Sequence, residues 1–426
     1  MLRAGCDLNI HVFEFVLGLL LLACVANAVG VDVRQFGAKG DGTVDDSAAI
    51  QKALDSVKDK GGIVELGIGT FRLDNPISIP EGVTLTGVWE APHQAMLTKG
   101  TSINIYAGKG DENGSPAISL NPSSVIKGIT FYYPEQKIPD VIKYPWTIRG
   151  TGLHCSIIDC TFVNPYRMID FATNWHELHY IRNVFGCPLK VGVSIDKCSD
   201  IGRLENVHFN PNYWSRSGVA DPPDANALIK FLGQNLIAFE FGRTDWEYVI
   251  NTFVFGAKIG YRFYESKDGT VNGNFLGIGA DWCGRAVMVE ECQVPGLLIT
   301  NGEFVGGDGT DSFTEVASTN TGVVQFSNCA FWGPCPTVAK LDGKGTVSLN
   351  QCNFHNFGKP AHAFTIEGKG GDITIQGCRF GNDRPDIKLG KNVKTAIIST
   401  NRFQKSKEIL NECKGEVAEG LNVVSK

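Results

Sequence analysis

Apolar residues in this chain alternate with polar ones over short stretches, at a period of two rather than 3.6. Val323-Val324-Gln325-Phe326, Val347-Ser348-Leu349 and Ile373-Thr374-Ile375 are examples. Such runs, bounded by Gly and Asn, predict short β-strands. They recur within one phrase: an apolar alternation, then Asn, Gly or Cys, then a Phe two residues on. The phrase ends at Phe162, Phe185, Phe209, Phe275, Phe304, Phe331, Phe354, Phe380 and Phe403. Outside the stretch between Phe209 and Phe275, consecutive spacings run from 23 (Phe162 to Phe185) to 29 (Phe275 to Phe304). One strand-bearing unit repeated at such a period predicts a solenoid, in which each unit buries its apolar face on its neighbours. The repeated L-x-x-L-x-L frame of a leucine-rich solenoid is absent. A coil of this length fits a three-sided parallel β-helix, with coils stacked at about 4.8 Å.

The repeat also accounts for cysteines. Cys160, Cys329, Cys352 and Cys378 each stand two residues before a repeat Phe. They are expected to form an inward ladder of small buried thiols. Stacking in register gives poor disulfide geometry, and no C-x-x-C pair suggests zinc.

An open solenoid end is a bare sheet edge and needs a cover. Ser47 to Lys58 has apolar residues at Ala49, Ile50, Ala53, Leu54 and Val57, which predicts a one-sided helix capped by Asp45 or Asp46 and stopped by Gly61-Gly62. Ahead of it, Phe15 to Val25 is an apolar run too short to span a bilayer, followed by Ala26-Asn27-Ala28. This reads as an export signal, so a secreted or periplasmic location is expected; Leu21-Leu22-Ala23-Cys24 leaves lipidation of Cys24 as a lesser alternative. The division expected is a signal peptide over 1–28, a cap segment with helix over 29–62, the β-helix over 63–405, and a C-terminal cap or tail over 406–426.

The stretch Val33 to Gln51, with Asp41-Gly42-Thr43-Val44-Asp45-Asp46, resembles the opening motif of the pectate-lyase-like superfamily. That superfamily includes rhamnogalacturonases, polygalacturonases, epimerase-like proteins and phage tailspikes. The resemblance implies an all-β, right-handed, single-stranded parallel β-helix that acts on polysaccharide. It supplies no catalytic residues. The polygalacturonase set of N-x-D, D-D, G-H-G and R-x-K, the pectate lyase W-x-D-H and R-x-P-x-x-R, and the epimerase D-P-H-D are not found. Asp41, Asp45 and Asp46 are expected to be turn and cap residues.

Chemistry must then come from residues outside those motifs. Glycoside hydrolysis needs two carboxyl groups flanking the bond, whereas a uronate lyase needs a base and a cation to steady the intermediate. Two clusters combine Asp-Trp with Arg: Arg243-Thr244-Asp245-Trp246-Glu247 and Asp281-Trp282-Cys283-Gly284-Arg285. Asp245 and Asp281 are the candidate acid and base, expected on one face, with Glu247 a substitute for either. Trp246 and Trp282 could stack on sugar rings, and Arg243 and Arg285 could hold a carboxylate. The alternative is that Asp-Trp is corner packing and Arg243 merely pairs with Asp245. His208, in the aromatic stretch Asn206 to Trp214, is a further substrate-binding candidate. His176 and His179 with Glu177 lack an evident third ligand for a metal. Asp308 and Asp311 fall short of a Ca²⁺ site, so no cofactor is expected.

A net charge of −6 disfavours nucleic acid as a partner. No segment after the signal is long and apolar enough to span a membrane, and assembly into a homo-oligomer is compatible with the fold. The leading expectation is a secreted glycoside hydrolase. A uronate lyase or epimerase and a non-catalytic carbohydrate-binding or surface protein are the alternatives.

Overall fold

In a computed structural model, which describes residues 30–92, 97–355, 363–381, 384–404 and 406–425, the chain winds as a parallel β-solenoid. Each coil contributes to three sheets in turn. The first sheet runs from Gly62–Glu65 and Val83–Thr86 to Glu416–Gly420. The second runs from Gly69–Leu73 and Thr101–Ile105 to Val423–Ser425. The third runs from Ile77–Ile79 and Ile118–Leu120 to Ile409–Asn411. The signal-peptide region and Cys24 lie outside the described residues. No described helix is long and apolar enough to cross a membrane.

A single backbone device turns the first sheet into the second. Asp159, Asn183, Asn206, Asn251, Asn301, Asn328 and Gln351 all have φ between 53° and 56°, and Gly277 and Gly377 take the same place. Asn enters this left-handed region at less cost than other side-chain-bearing residues. Its amide also donates to the bend of the preceding coil, as from Asn183 Nδ2 to Asp159 Oδ1 at 2.8 Å and from Asn328 Nδ2 to Asn301 Oδ1 at 2.8 Å. The residue after the bend points inward, the next outward, and the repeat Phe inward again.

Inward phenylalanines stack from coil to coil: Phe304–Phe331 at 5.1 Å, Phe331–Phe354 at 5.3 Å, Phe354–Phe380 at 5.0 Å and Phe380–Phe403 at 4.8 Å between ring centroids. Cys329, Cys352 and Cys378 lie beside them, buried and unpaired. Their thiols donate to carbonyls of the preceding coil, at Ile299, Phe326 and Leu349 respectively. Burial pushes the Cys160 thiol up to about 12, which keeps it protonated and inert.

Two repeat members depart from the rule. Phe275 lies on the first sheet, before the bend at Gly277, paired with Val249 and Ile299, so that Ala280 takes the inward place. Phe185 has slipped by one residue. Phe185 pairs with Thr161 and His208, both outward, while Gly186 pairs with Phe162 and Phe209. Because strand side chains alternate, a slip of one residue moves the ring to the outer face.

At the N-terminus, the helix Ser47–Val57 lies over the solenoid end and buries Ile50, Ala53 and Leu54. The three signature aspartates hold turns. Asp41 Oδ1 accepts from Thr43 N at 2.8 Å, Asp45 Oδ1 accepts from Ser47 N at 3.0 Å, and Asp46 Oδ1 accepts from Lys39 N at 2.6 Å. Two boundaries need correction. Val31–Asp32 and Asp41–Asp45 already pair with the sheets, so stacking begins within the expected cap. Residues 406–425 are a further coil rather than a tail, with Leu421 in the bend conformation at φ 57°. Its side chains are mostly exposed, and the apolar alternation fades.

Candidate functional site: a carboxylate groove on the second sheet

Strands of the second sheet are three residues long through its middle, as in Phe253–Phe255, Gly279–Asp281, Glu303–Val305, Ala330–Trp332 and Asn353–His355. The central residue of each points inward, so the flanking ones form two outward rows. One row is Phe253, Gly279, Glu303, Ala330 and Asn353; the other is Phe255, Asp281, Val305, Trp332 and His355. Asp281 and Glu303 are therefore diagonal neighbours on adjacent strands. Strand spacing and rise place their Cα atoms about 8 Å apart.

These two carboxyl groups line a cleft of about 450 Å³ with Asn251, Phe253, Asn301 and Trp332. Trp332 Nε1 donates to Glu303 Oε1 at 2.9 Å, fixing both side chains. Asp281 is half-buried. Burial, and then the charge of Glu303, hold its carboxyl above the usual aspartate range. A protonated acid beside a second carboxyl, at the edge of an exposed indole, can donate to a leaving oxygen while its neighbour assists from another direction.

Toward the N-terminus the same face becomes aromatic. His208 lies edge-on to Phe253 at 4.9 Å, and its Nδ1 is 3.3 Å from the Tyr213 hydroxyl. Its Nε2 is buried with no hydrogen-bond partner among the described residues, and burial lowers its pKa. Phe185 and Trp89 follow, with ring centroids 6.1 Å apart. Beyond them Trp89, Lys99, Thr130 and Thr161 line a second cleft of about 520 Å³.

The Asp-Trp clusters separate. Asp281 ends a strand of the second sheet, whereas Asp245 sits at the corner where the third sheet turns into the first. Asp245 accepts from Arg243 Nη2 at 2.7 Å and from Gln293 Nε2 at 2.8 Å. The two aspartates share no face and cannot flank one bond. Linear spacing misleads here because a face of a solenoid is set by position within the coil. Glu247 points into the interior, fully buried, and bonds His179 Nε2 at 3.1 Å and the Thr244 hydroxyl at 2.9 Å, so it reaches no substrate. Trp246 is exposed at the Asp245 corner. Trp282 packs edge-on against Phe255, the register neighbour of Asp281, with 5.8 Å between centroids, and does not line the cleft. Arg243 is held by Asp245, and Arg285 by Glu315 and Asp311 on the third sheet. Neither arginine lines the cleft.

Glu303 and Trp332 escaped the sequence reading, although their signal was present. Each adjoins a repeat Phe, and alternation alone puts both outward.

The geometry defines a parallel β-helix with a carboxylate-bearing outer face, and comparison with known proteins agrees with the fold. Residues 30–161 match the family described as rhamnogalacturonase A/epimerase, pectate lyase-like. A stretch of 58 residues is 43% identical to the pre-neck appendage protein of Bacillus phage phi29, covering 14% of this chain and 6% of that protein. The solved structure of bacteriophage phi29 gene product 12 superposes with a TM-score of 0.57 at 14% identity, over 96% of this chain and 57% of that one. This chain thus corresponds to little more than half of that structure. A tailspike variant of E. coli bacteriophage HK620, solved in complex with a hexasaccharide, superposes with a TM-score of 0.53 at 11% identity, over 94% of this chain and 79% of that one. At these identities the structural likeness speaks for fold alone. The first third of the chain thus matches a pectate-lyase-like family, and the parallel β-helix of the described residues agrees with that match.

Proposed function

We propose that this chain is an exported glycoside hydrolase that binds a glycan along the outer face of its second sheet. Asp281 is the general acid, and Glu303 is the base or nucleophile. The observation that carries this reading is the carboxyl pair itself: Asp281, with its proton affinity raised, stands diagonal to Glu303 in a cleft edged by Trp332. No Lys, Arg or His lines that cleft among the described residues. This favours hydrolysis over β-elimination, and a neutral glycan over a uronate polymer, because two carboxyl groups repel a polyanion. Glycan binding is also supported by the fold likeness to a tailspike solved with a hexasaccharide.

The test is incubation of purified protein with neutral and acidic polysaccharides, reading new reducing ends together with the ultraviolet absorbance of unsaturated uronates. New ends without absorbance, lost in both Asp281→Asn and Glu303→Gln, support the proposal. Absorbance would replace it with a lyase. A second reading, a non-catalytic glycan-binding or appendage protein, draws on the fold likeness to the phage appendage structure. Glycan binding that depends on Trp332, with no product from any polymer, would favour it.

A further inference from the structure

Away from the groove, the corner between the third and first sheets holds a buried cluster of ionisable side chains. His176, Cys198 and Thr244 pair in parallel across three consecutive coils. Leu178 at φ 55° and Trp246 at φ 61° adopt left-handed conformations, and the residues that follow them, His179 and Glu247, turn inward and are fully buried. Gly202 holds the corresponding place in the coil between. A Cβ there would lie 1.9 Å from His179 Cε1 and 2.4 Å from Glu247 Oε2. Its missing side chain is what lets His179 and Glu247 meet across an intervening coil.

The hydrogen bonds fix the ring orientations. His176 Nε2 lies 3.0 Å from the Asp196 carbonyl, which can only accept, so this nitrogen carries a proton. His179 Nε2 faces Glu247 Oε1 at 3.1 Å, and the Thr244 hydroxyl donates to the other oxygen of that carboxyl group. Both rings therefore present Nδ1 to the same point, with the two nitrogens 3.2 Å apart. Cys198 Sγ is 3.9 Å from His179 Nδ1, and the three ligand atoms lie within 4.8 Å of one another. At that distance the two Nδ1 atoms need either a proton or a cation between them, because two bare lone pairs repel. Metal-binding imidazoles are oriented in the same way, with the second nitrogen donated to a carboxylate or a backbone carbonyl.

We propose that His176 Nδ1, His179 Nδ1 and Cys198 Sγ form an interior site for one transition-metal ion of the zinc type. Imidazole and thiolate ligands suit Zn²⁺ or Cu⁺ and do not suit Ca²⁺ or Mg²⁺, which take oxygen. The ion would replace the Cys198 thiol proton and staple the coils that carry residues 176–179 and 198. Because all three ligands are buried, loading belongs to folding rather than to later diffusion. The sequence offers the two histidines, but the neighbour it suggests, Glu177, instead accepts from the Ser199 hydroxyl. The third ligand arrives from the next coil.

The experiment uses the full chain without a histidine tag, folded with Co²⁺ supplied as the probe. The expected result is about one Co²⁺ per chain with a thiolate-to-cobalt charge-transfer band, present in Cys283→Ser and lost in Cys198→Ser. A folded, Co²⁺-exposed parent chain without the band would overturn the proposal and leave a shared proton between the imidazoles. So would Cys198→Ser retaining both band and metal. If Cys198→Ser does not fold, the parent spectrum decides alone.

Discussion

Truncating one ring of the phenylalanine stack tests the repeat as a physical unit. Phe354 is fully buried and contacts Phe331 at 5.3 Å and Phe380 at 5.0 Å. Phe354→Ala removes a buried ring from a site whose neighbours are pinned by coil stacking and cannot collapse into the void. Such truncations cost about 3–5 kcal/mol, and the loss of two aromatic contacts, each about 0.5–1.5 kcal/mol, puts this one at the upper end. Phe403 is equally buried but has one ring partner among the described residues, Phe380 at 4.8 Å. Phe403→Ala should therefore cost less by roughly one contact, about 0.5–1.5 kcal/mol. Urea unfolding of the two variants and the parent, compared by midpoint and slope, measures the difference. Local hydrogen exchange around residues 349–355 would show whether the loss stays within adjacent coils, as nearest-neighbour coupling requires. A cost below about 1 kcal/mol at Phe354, or a larger cost at Phe403 than at Phe354, would refute the view that the stack is the unit of stability.

The remaining expectations concern the groove and charge. Asp281→Asn and Glu303→Gln should each lower turnover by roughly 10²–10⁴-fold while leaving circular dichroism and melting unchanged. Asp245→Asn and Arg285→Ala should leave turnover within about twofold and cost about 1 kcal/mol of stability, because both side chains form part-exposed ion pairs outside the cleft; a hundredfold loss in either would move the active site. Activity should fall as pH rises through the elevated pKa of Asp281, since the protonated form is the acid; an alkaline limb that persists unshifted in a residually active Asp281→Asn enzyme would assign that limb to another group. Burial raises the Asp386 carboxyl from 3.8 to about 7. Its folded pKa exceeds its unfolded one, so the stability it contributes is complete below about 4 and lost as pH climbs through about 7. Melts of Asp386→Asn should show a flatter pH slope over that window, and an unchanged slope would contradict the assignment.

The solenoid was legible because its signals are local and repeated. The inward Phe, the thiol two residues earlier and the Asn at the bend are each set within one coil. Phe185 fooled the pattern because a one-residue slip changes which face a ring occupies without changing the spacing of aromatic residues. The last described coil hid because few of its strand positions carry the buried apolar alternation of the others. The site was harder to read. Asp281 was found, but its partner was sought in the similar-looking Asp245, which lies at another corner of the coil. Glu303 and Trp332 belong to Asp281 through register, and register follows only after each repeat is aligned on its bend. The interior histidine cluster lay deeper still: Cys198 and Glu247 come from separate coils, and Gly202 contributes by having no side chain at all.

Between Phe209 and Ile237 the chain leaves the solenoid to form the helices Asn212–Ser215 and Ala225–Asn235, then returns to pair Ile237 with Val191 as though nothing had intervened. Tyr213 from this excursion reaches His208 on the second sheet, and Ser217 accepts from Leu97 N of the loop on the other side. The outer face of the second sheet is thus inherited from the coil repeat, while this excursion is an insertion that leaves the strand register intact. Descendants of such a chain can acquire new ligand preferences by exchanging one corner excursion and keeping every stacked strand, so that recognition and architecture diverge at different rates.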